Sequence, residues 1–191
     1  NFGRWTTPLS AEDTLQDWNG NQLSATRAYQ RYLLQVAYVD HLLGKTMDRF
    51  KAIGIYDQAM IVMIADHGIS FLGDQKRRDV TSTNIEDILM VPLFIKYPYQ
   101  HEAKIDDQPA ESVDILPTIA DVLKVQFPWK QDGVSLLSEN ASKRQKKTAF
   151  GWFGGNGRIL RIDQPQIQNS ANWKKKIQLF GAGPIEKVFQ Y

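Results

Sequence analysis

The tightest constraint on this chain is an unbroken apolar run, Ile61-Val62-Met63-Ile64-Ala65, that ends in Asp66-His67-Gly68. A strand with one wet face alternates apolar and polar residues. Five apolar residues in a row followed by a turn signal therefore predict a strand buried on both faces, over residues 59–65. Such a strand belongs in a sheet that helices cover. Asp66 and His67 then fall where the strand leaves the sheet, which in open α/β sheets is the edge where ligands bind. A carboxylate and a neutral imidazole are ordinary ligands for zinc or another divalent metal. Gly68 permits the sharp turn that would aim both side chains at one point. The pair also has a plain structural use, since Asp caps turns and a lone His is commonly a satisfied polar residue. The dipeptide by itself leaves both uses open.

A second apolar segment, Val91-Pro92-Leu93-Phe94-Ile95-Lys96-Tyr97, predicts another buried strand, stopped by Pro98. Upstream, Tyr29, Tyr32, Leu33, Val36, Ala37, Asp40, Leu43, Met47 and Phe50 recur at three- and four-residue spacing. That stripe predicts a long helix from a Ser24 cap to a Gly54 stop, packed across the sheet. Ile115, Ile119, Ala120 and Leu123 share a face of a second helix, starting at Ser112 or Asp114. The expected fold class is α/β, with a mostly parallel sheet, flanking helices, and the two apolar strands as parallel neighbours or near neighbours.

Residues 1–23 are polar and turn-rich and read as a loop-rich segment, residues 24–140 as the α/β domain, and residues 141–191 as a tail. In the tail, residues 150–157 are aromatic and glycine-rich, while residues 158–163 and 177–181 alternate weakly. A short antiparallel hairpin or edge strands packed on the core is expected there. The 191 residues suffice for one domain with a sizeable core. A net charge of +2 gives no electrostatic case for a nucleic-acid partner, and the basic runs at 143–147 and 174–176 read as solvated faces. With no cysteine, disulfides, cysteine metal clusters and a cysteine nucleophile are excluded. No apolar run approaches the ~20 residues of a membrane span. The polar, basic stretch over residues 68–84 directly follows the Asp-His-Gly turn, where long loops are commonly functional.

The order of motifs resembles the C-terminal half of the sulfatase branch of the alkaline phosphatase superfamily. The matching pieces are Tyr38-Val-Asp-His-Leu-Leu-Gly, Gly54-Ile-Tyr-Asp, Ala65-Asp-His-Gly, Val91-Pro-Leu-Phe-Ile-Lys-Tyr-Pro, Val113-Asp-Ile-Leu-Pro-Thr-Ile and Asp132-Gly-Val-Ser-Leu-Leu, across residues 27–137. Closest in pattern are the sulfatase-like domains of large bacterial membrane proteins. The resemblance implies an alkaline phosphatase-like sheet whose end binds one or two divalent metals (zinc, calcium, manganese or magnesium). It implies that Asp66 and His67 are metal ligands. It also implies that the sulfate or phosphate ester is hydrolysed or transferred through a covalent intermediate on a Ser, Thr or modified Cys. Branches carrying Asp-His act largely on phosphoesters, whereas many arylsulfatases carry Asp-Asn.

The departures from that pattern set further expectations. The family's nucleophile lies in an N-terminal half that is expected upstream of Asn1, so this chain alone is expected to be inactive and to need that half as its partner. Ser70 and Thr81 are the local hydroxyls, and neither has the strand-to-helix setting of the family's nucleophile. Where many sulfatases have Leu-Gly-Asp-His, this chain reads Leu72-Gly-Asp-Gln75. The family's substrate-binding Lys before the Val-Pro-Leu strand is replaced by Thr81-Ser-Thr-Asn84, and the cations sit earlier, at Lys76, Arg77 and Arg78. Arginine matches two oxygens of a tetrahedral anion at once, so these three are the candidate binders of an anionic ester. They also read as a solvated run. By resemblance the setting is extracytoplasmic, with a membrane anchor in the parent protein. The alternative function is a non-catalytic recognition or structural domain of the same fold that lacks the nucleophile. A further alternative is an unrelated α/β binding module with structural Asp66 and His67.

Overall fold

The computed structural model describes residues 17–81, 83–144, 146–153 and 156–163, together with Gln178. It divides into two compact units, one of Asn1–Asp48 and Ala65–Val91, the other of Arg49–Ile64 and Pro92–Tyr191.

The first unit is built around the N-terminal end of the long helix α1 (Gln22–Ala52). Asn21, and not Ser24, caps it. The Asn21 Oδ1 accepts the Ser24 N–H at 3.0 Å, satisfying a donor that the first turn leaves orphaned. The first turns of α1 pack on the loop that carries Phe71 and Leu72. The Phe71 ring lies 5.2 Å from Tyr29 and 5.3 Å from Tyr32, centroid to centroid, and 6.1 Å from Trp18. The Gln22 amide fastens the same contact, donating to the Phe71 carbonyl at 3.1 Å and accepting the Gly73 N–H at 2.8 Å. Leu72, Ala25 and Ile88 form the small apolar core, with the short helix α2 (Ile85–Leu89) contributing Ile88. Further along α1 the expected stripe is exposed at Tyr32, Leu33 and Val36, and Ala25 is the buried position of the helix.

In the second unit α1 ends as Gly54 predicts. Gly54 takes φ +75°, its N–H donates to Lys51 O at 3.0 Å, and the Ile55 N–H reaches back to Phe50 O at 3.0 Å. This is the paired stop that a left-handed glycine allows. Strands β1 (Ile61–Ile64) and β2 (Leu93–Lys96) are where the two apolar runs predict them. Their direction differs from expectation: they pair antiparallel, Ile61 against Lys96 and Ile64 against Leu93. An apolar run encodes burial and not direction. Direction is set by the connection, and a parallel return typically carries a substantial crossover helix. Here the helix described in the connection is the five-residue α2. The strands are also half-buried rather than buried on both faces, and Ile64 and Phe94 are exposed.

Helix α3 (Ile115–Leu123) follows a single 3-10 turn over Ser112–Asp114 and ends at Lys124 in the left-handed conformation. Thr118 and Ala120 are its buried positions, while Leu123 is exposed. Asp114 is fully buried and is the hub of this unit. It accepts the backbone N–H groups of Glu111 at 2.8 Å and Val134 at 2.9 Å, and the Arg144 guanidinium grips both of its oxygens. Arg144 comes from the short α4 (Glu139–Ser142) end of the basic run, so that run is not a wholly solvated face.

Beyond it, β3 (Lys146–Phe153) and β4 (Asn156–Asp163) form an antiparallel hairpin, Lys146 against Asp163 and Phe153 against Asn156, so the alternating 158–163 segment is a strand as expected but its partner is 146–153 and not 177–181. The described part of the aromatic, glycine-rich stretch is thus the end of one strand and the start of the next. Both described sheets are two-stranded and antiparallel, in place of the mostly parallel sheet expected. The expected edge strand at 177–181 lies outside the described residues except for Gln178, which is helical, and most of the expected 1–23 loop segment also lies outside them. Among the described residues no helix is long and apolar enough to cross a membrane.

Candidate metal centre

Asp66 and His67 follow β1 directly in the chain and form a tight turn of their own. The Asp66 Oδ1 accepts the His67 backbone N–H at 2.9 Å. The His67 Nδ1 lies 2.8 Å from the Gly68 carbonyl oxygen. A carbonyl can only accept, so Nδ1 carries the proton, and the neutral ring keeps its lone pair on Nε2. One oxygen of Asp66 and one nitrogen of His67 are thereby occupied inside the turn. Their counterparts, Oδ2 and Nε2, stand 3.9 Å apart, a spacing that two bonds of ~2.1 Å to one ion can bridge. The Asp66 side chain is 89% exposed and that of His67 42%, so both donors are open to an incoming ion. A carboxylate oxygen plus an imidazole nitrogen whose second nitrogen is held by a carbonyl is the donor set, with its supporting bond, that metal-binding histidines use. The pair fits a divalent metal. Among the described residues no group of three or more His, Cys, Asp or Glu is gathered to hold one. His41 and His101 are both exposed and stand outside this turn.

The loop after the turn folds back on itself. Gly68 N–H donates to Ile88 O at 2.7 Å, and Ser70 N–H to Arg77 O at 3.0 Å. The Ser70 hydroxyl donates to Asp87 Oδ2 at 2.6 Å, and Trp18 Nε1–H donates to the Ser70 carbonyl at 2.8 Å. Asn84 closes the other end. Its amide donates to Lys76 O at 2.8 Å and Asp79 O at 2.9 Å, while its oxygen accepts the Thr81 N–H at 2.7 Å and the Thr81 hydroxyl at 2.9 Å. Asn84 is fully buried and was not singled out from the sequence. Its signal is a Thr81-x-x-Asn84 spacing immediately before a helix. Ser70 is fully buried against Asp87, and the Thr81 hydroxyl donates to an amide oxygen of Asn84, which is not a base.

The three cations of the loop have separate environments. Lys76 donates to Asp17 Oδ2 at 2.6 Å. That bond holds the lysine pKa above its ordinary value, and together with the Asn19 N–H it holds the Asp17 carboxyl below its own. Arg77 lies over the Trp18 ring, 4.4 Å from its centre. Arg78 is exposed and is the one of the three with no hydrogen bond or ion pair among the described residues. The Ser70–Arg77 bond returns this loop to within three residues of His67, a stretch of chain that spans at most ~10 Å. The Asp66–His67 turn and the cationic run therefore share one small region of one unit. A cavity of ≈ 160 Å³ in the same unit is lined by Asp17, Gly73, Asp74 and Lys76 and does not include Asp66 or His67.

Residues 3–125 match the family model described as Sulfatase. The chain belongs to the sulfatase family. A sulfatase of Formosa agariphila is 26% identical over 149 residues, covering 77% of this chain and 29% of that protein. The multifunctional alkaline phosphatase superfamily protein PehA of Trinickia caryophylli is 32% identical over 126 residues, 65% of this chain and 23% of the relative. Among solved structures, a protein in complex with its substrate D-glucosamine-2-N,6-O-disulfate superposes with a TM-score of 0.52 at 19% identity, over 83% of this chain and 41% of that one. This sulfatase-family chain thus has the fold of part of that structure, and it spans only about a quarter of the length of the two curated relatives.

Proposed function

We propose that this chain supplies two metal ligands and an anion-binding loop to a divalent-metal-dependent hydrolase of sulfate esters. The observation that carries the reading is the Asp66–His67 turn, which ties up Oδ1 and Nδ1 within itself and leaves Oδ2 and Nε2 open 3.9 Å apart. A divalent ion held there supplies Lewis-acid polarisation of the ester's oxygens. Asp66 and His67 hold it, and the Gly68 carbonyl keeps the proton off the liganding nitrogen. Arg78, free of other partners among the described residues, presents a planar pair of N–H groups to the sulfate oxygens. Lys76 and Arg77 add positive potential from their places against Asp17 and Trp18.

The family membership and the sulfated sugar bound by the structurally similar protein favour a sulfate ester over a phosphate ester. The attacking group comes from outside Ser70 and Thr81, since Ser70 is buried away from the open Asp66–His67 pair and Thr81 has an amide, not a base, at its hydroxyl. No turnover is expected of the 191-residue chain alone.

The test is turnover of an aryl sulfate and the matching aryl phosphate by the intact protein, before and after chelation and zinc or manganese return. Sulfate release that is lost on chelation, restored by metal and abolished in His67→Ala is the expected result. Faster release of phosphate than sulfate would overturn the substrate, and release indifferent to chelation would overturn the metal.

A further inference from the structure

Gly68 has an unusual packing environment for a turn glycine. Its N–H donates to Ile88 O at 2.7 Å, and a methyl group at its Cα would land on the Asp87 carbonyl oxygen. The Gly68 peptide is thus pressed against the backbone of α2 with no room for a side chain. Two residues on, the buried Ser70 hydroxyl donates to Asp87 Oδ2 at 2.6 Å, so residues 68 and 70 are fastened to the same pair of residues, Asp87 and Ile88. That pair is in turn fixed by Asn84, whose carbonyl accepts the Asp87 N–H at 2.9 Å and the Ile88 N–H at 3.2 Å. What this clamp holds is the Gly68 carbonyl, and that oxygen is the partner of His67 Nδ1 at 2.8 Å.

We infer that Gly68, Ser70 and Asp87 are positioning residues whose function is to set the tautomer of His67. Imidazole in water favours the proton on Nε2, the nitrogen that the reading above needs free. A carbonyl held at hydrogen-bond distance from Nδ1 reverses that preference, because only the Nδ1–H form can donate to it. The carbonyl stays there only while the Gly68 peptide is pressed on α2. Asp87 is therefore tied to the imidazole through a chain of three contacts, from Asp87 to Ser70, from the Asp87–Ile88 backbone to Gly68, and from Gly68 to His67. The tautomer itself is a property of the metal-free chain. Only its use, keeping Nε2 ready for an ion, rests on the proposed function.

The experiment is long-range proton–nitrogen NMR of the metal-free 191-residue chain with 15N-labelled histidine at about pH 9, above the range where ordinary imidazoles titrate. The three histidines are separated by a His67→Gln reference spectrum. The wild type is expected to show His67 with Nδ1 protonated and Nε2 at the unprotonated shift. Asp87→Ala should move Nε2 toward the protonated shift. Asp87→Asn, which keeps an acceptor for Ser70, should restore the wild-type pattern. Gly68→Ala should produce the largest change, and Asp87→Ala carries the test if that variant does not fold. A wild-type ring protonated on Nε2 would overturn the inference, as would a folded Asp87→Ala with an unchanged His67 spectrum. Zinc titrations of the same proteins separate the two claims. A set tautomer without zinc binding would count against the metal reading alone. Zinc binding at Asp66 and His67 with an unset tautomer would count against the clamp alone. Where both hold, Asp87→Ala should weaken zinc ~10-fold.

Discussion

Arg77 and Arg78 are adjacent in the chain and have different surroundings. The Arg77 guanidinium stacks over Trp18, whose own N–H reaches the Ser70 carbonyl, so Arg77 belongs to the packing of the loop. Such a stacked cation contributes ~1 kcal/mol at a partly exposed site. Arg78 projects into solvent without a partner among the described residues. Arg77→Ala should therefore lower the melting temperature. Arg78→Ala should leave it unchanged and raise the KM for the anionic ester ~10-fold with little change in kcat. Thermal melts and steady-state kinetics on the intact protein distinguish the two, and the opposite assignment would show in a KM effect confined to Arg77→Ala. The sequence shows three cations after the Asp-His-Gly turn. It does not show that Asp17 and Trp18, some sixty residues earlier, engage two of them, because such pairings depend on how the loop closes.

At the scale of elements, the Asp114–Arg144 pair ties the turn before α3 to the segment after α4. Burial by itself would raise the Asp114 pKa. The Arg144 guanidinium and the Val134 and Glu111 N–H groups outweigh it, and the net shift is downward. A carboxyl with a depressed folded pKa stabilises the fold above the unfolded aspartate value, ~3.9. That contribution is lost as pH falls through the folded pKa. Asp114→Asn should therefore cost about 3 kcal/mol at neutral pH, since it takes the two-oxygen partner from a half-buried Arg144 and leaves that charge to Glu111, 3.7 Å away. The deficit relative to wild type should shrink below about pH 4. Urea midpoints from pH 7 down to 3 check this, and a constant deficit across that range would contradict it.

The elements themselves were largely legible. The spacing of Tyr29 to Phe50, Gly54 and the two apolar runs place α1, β1 and β2 within a few residues. What periodicity cannot carry is strand direction, and β1 and β2 pair antiparallel. The hairpin partner of β4 was missed for a related reason. The strand lies in Lys146–Phe153, whose basic start and glycine-rich end hide the alternation that marks a strand.

The whole chain carries one of its two units' chemistry in a short span. Asp66, His67 and the cationic loop belong to the unit of Asn1–Asp48 and Ala65–Val91, while the Asp114 hub belongs to the other. The Asp-His-Gly turn was readable as a candidate metal site because the residue types and their place after an apolar strand are local in sequence. The supporting bonds from Gly68, Ser70 and Asn84 were not readable, because each joins residues that only the folded loop brings together. The account turns on Asp66 and His67 holding a divalent metal jointly. Its most direct test is elemental analysis of the purified intact protein beside Asp66→Ala and His67→Ala. The account predicts bound divalent metal in the wild type and its loss from each variant with the fold retained. The same metal content in all three proteins would contradict it.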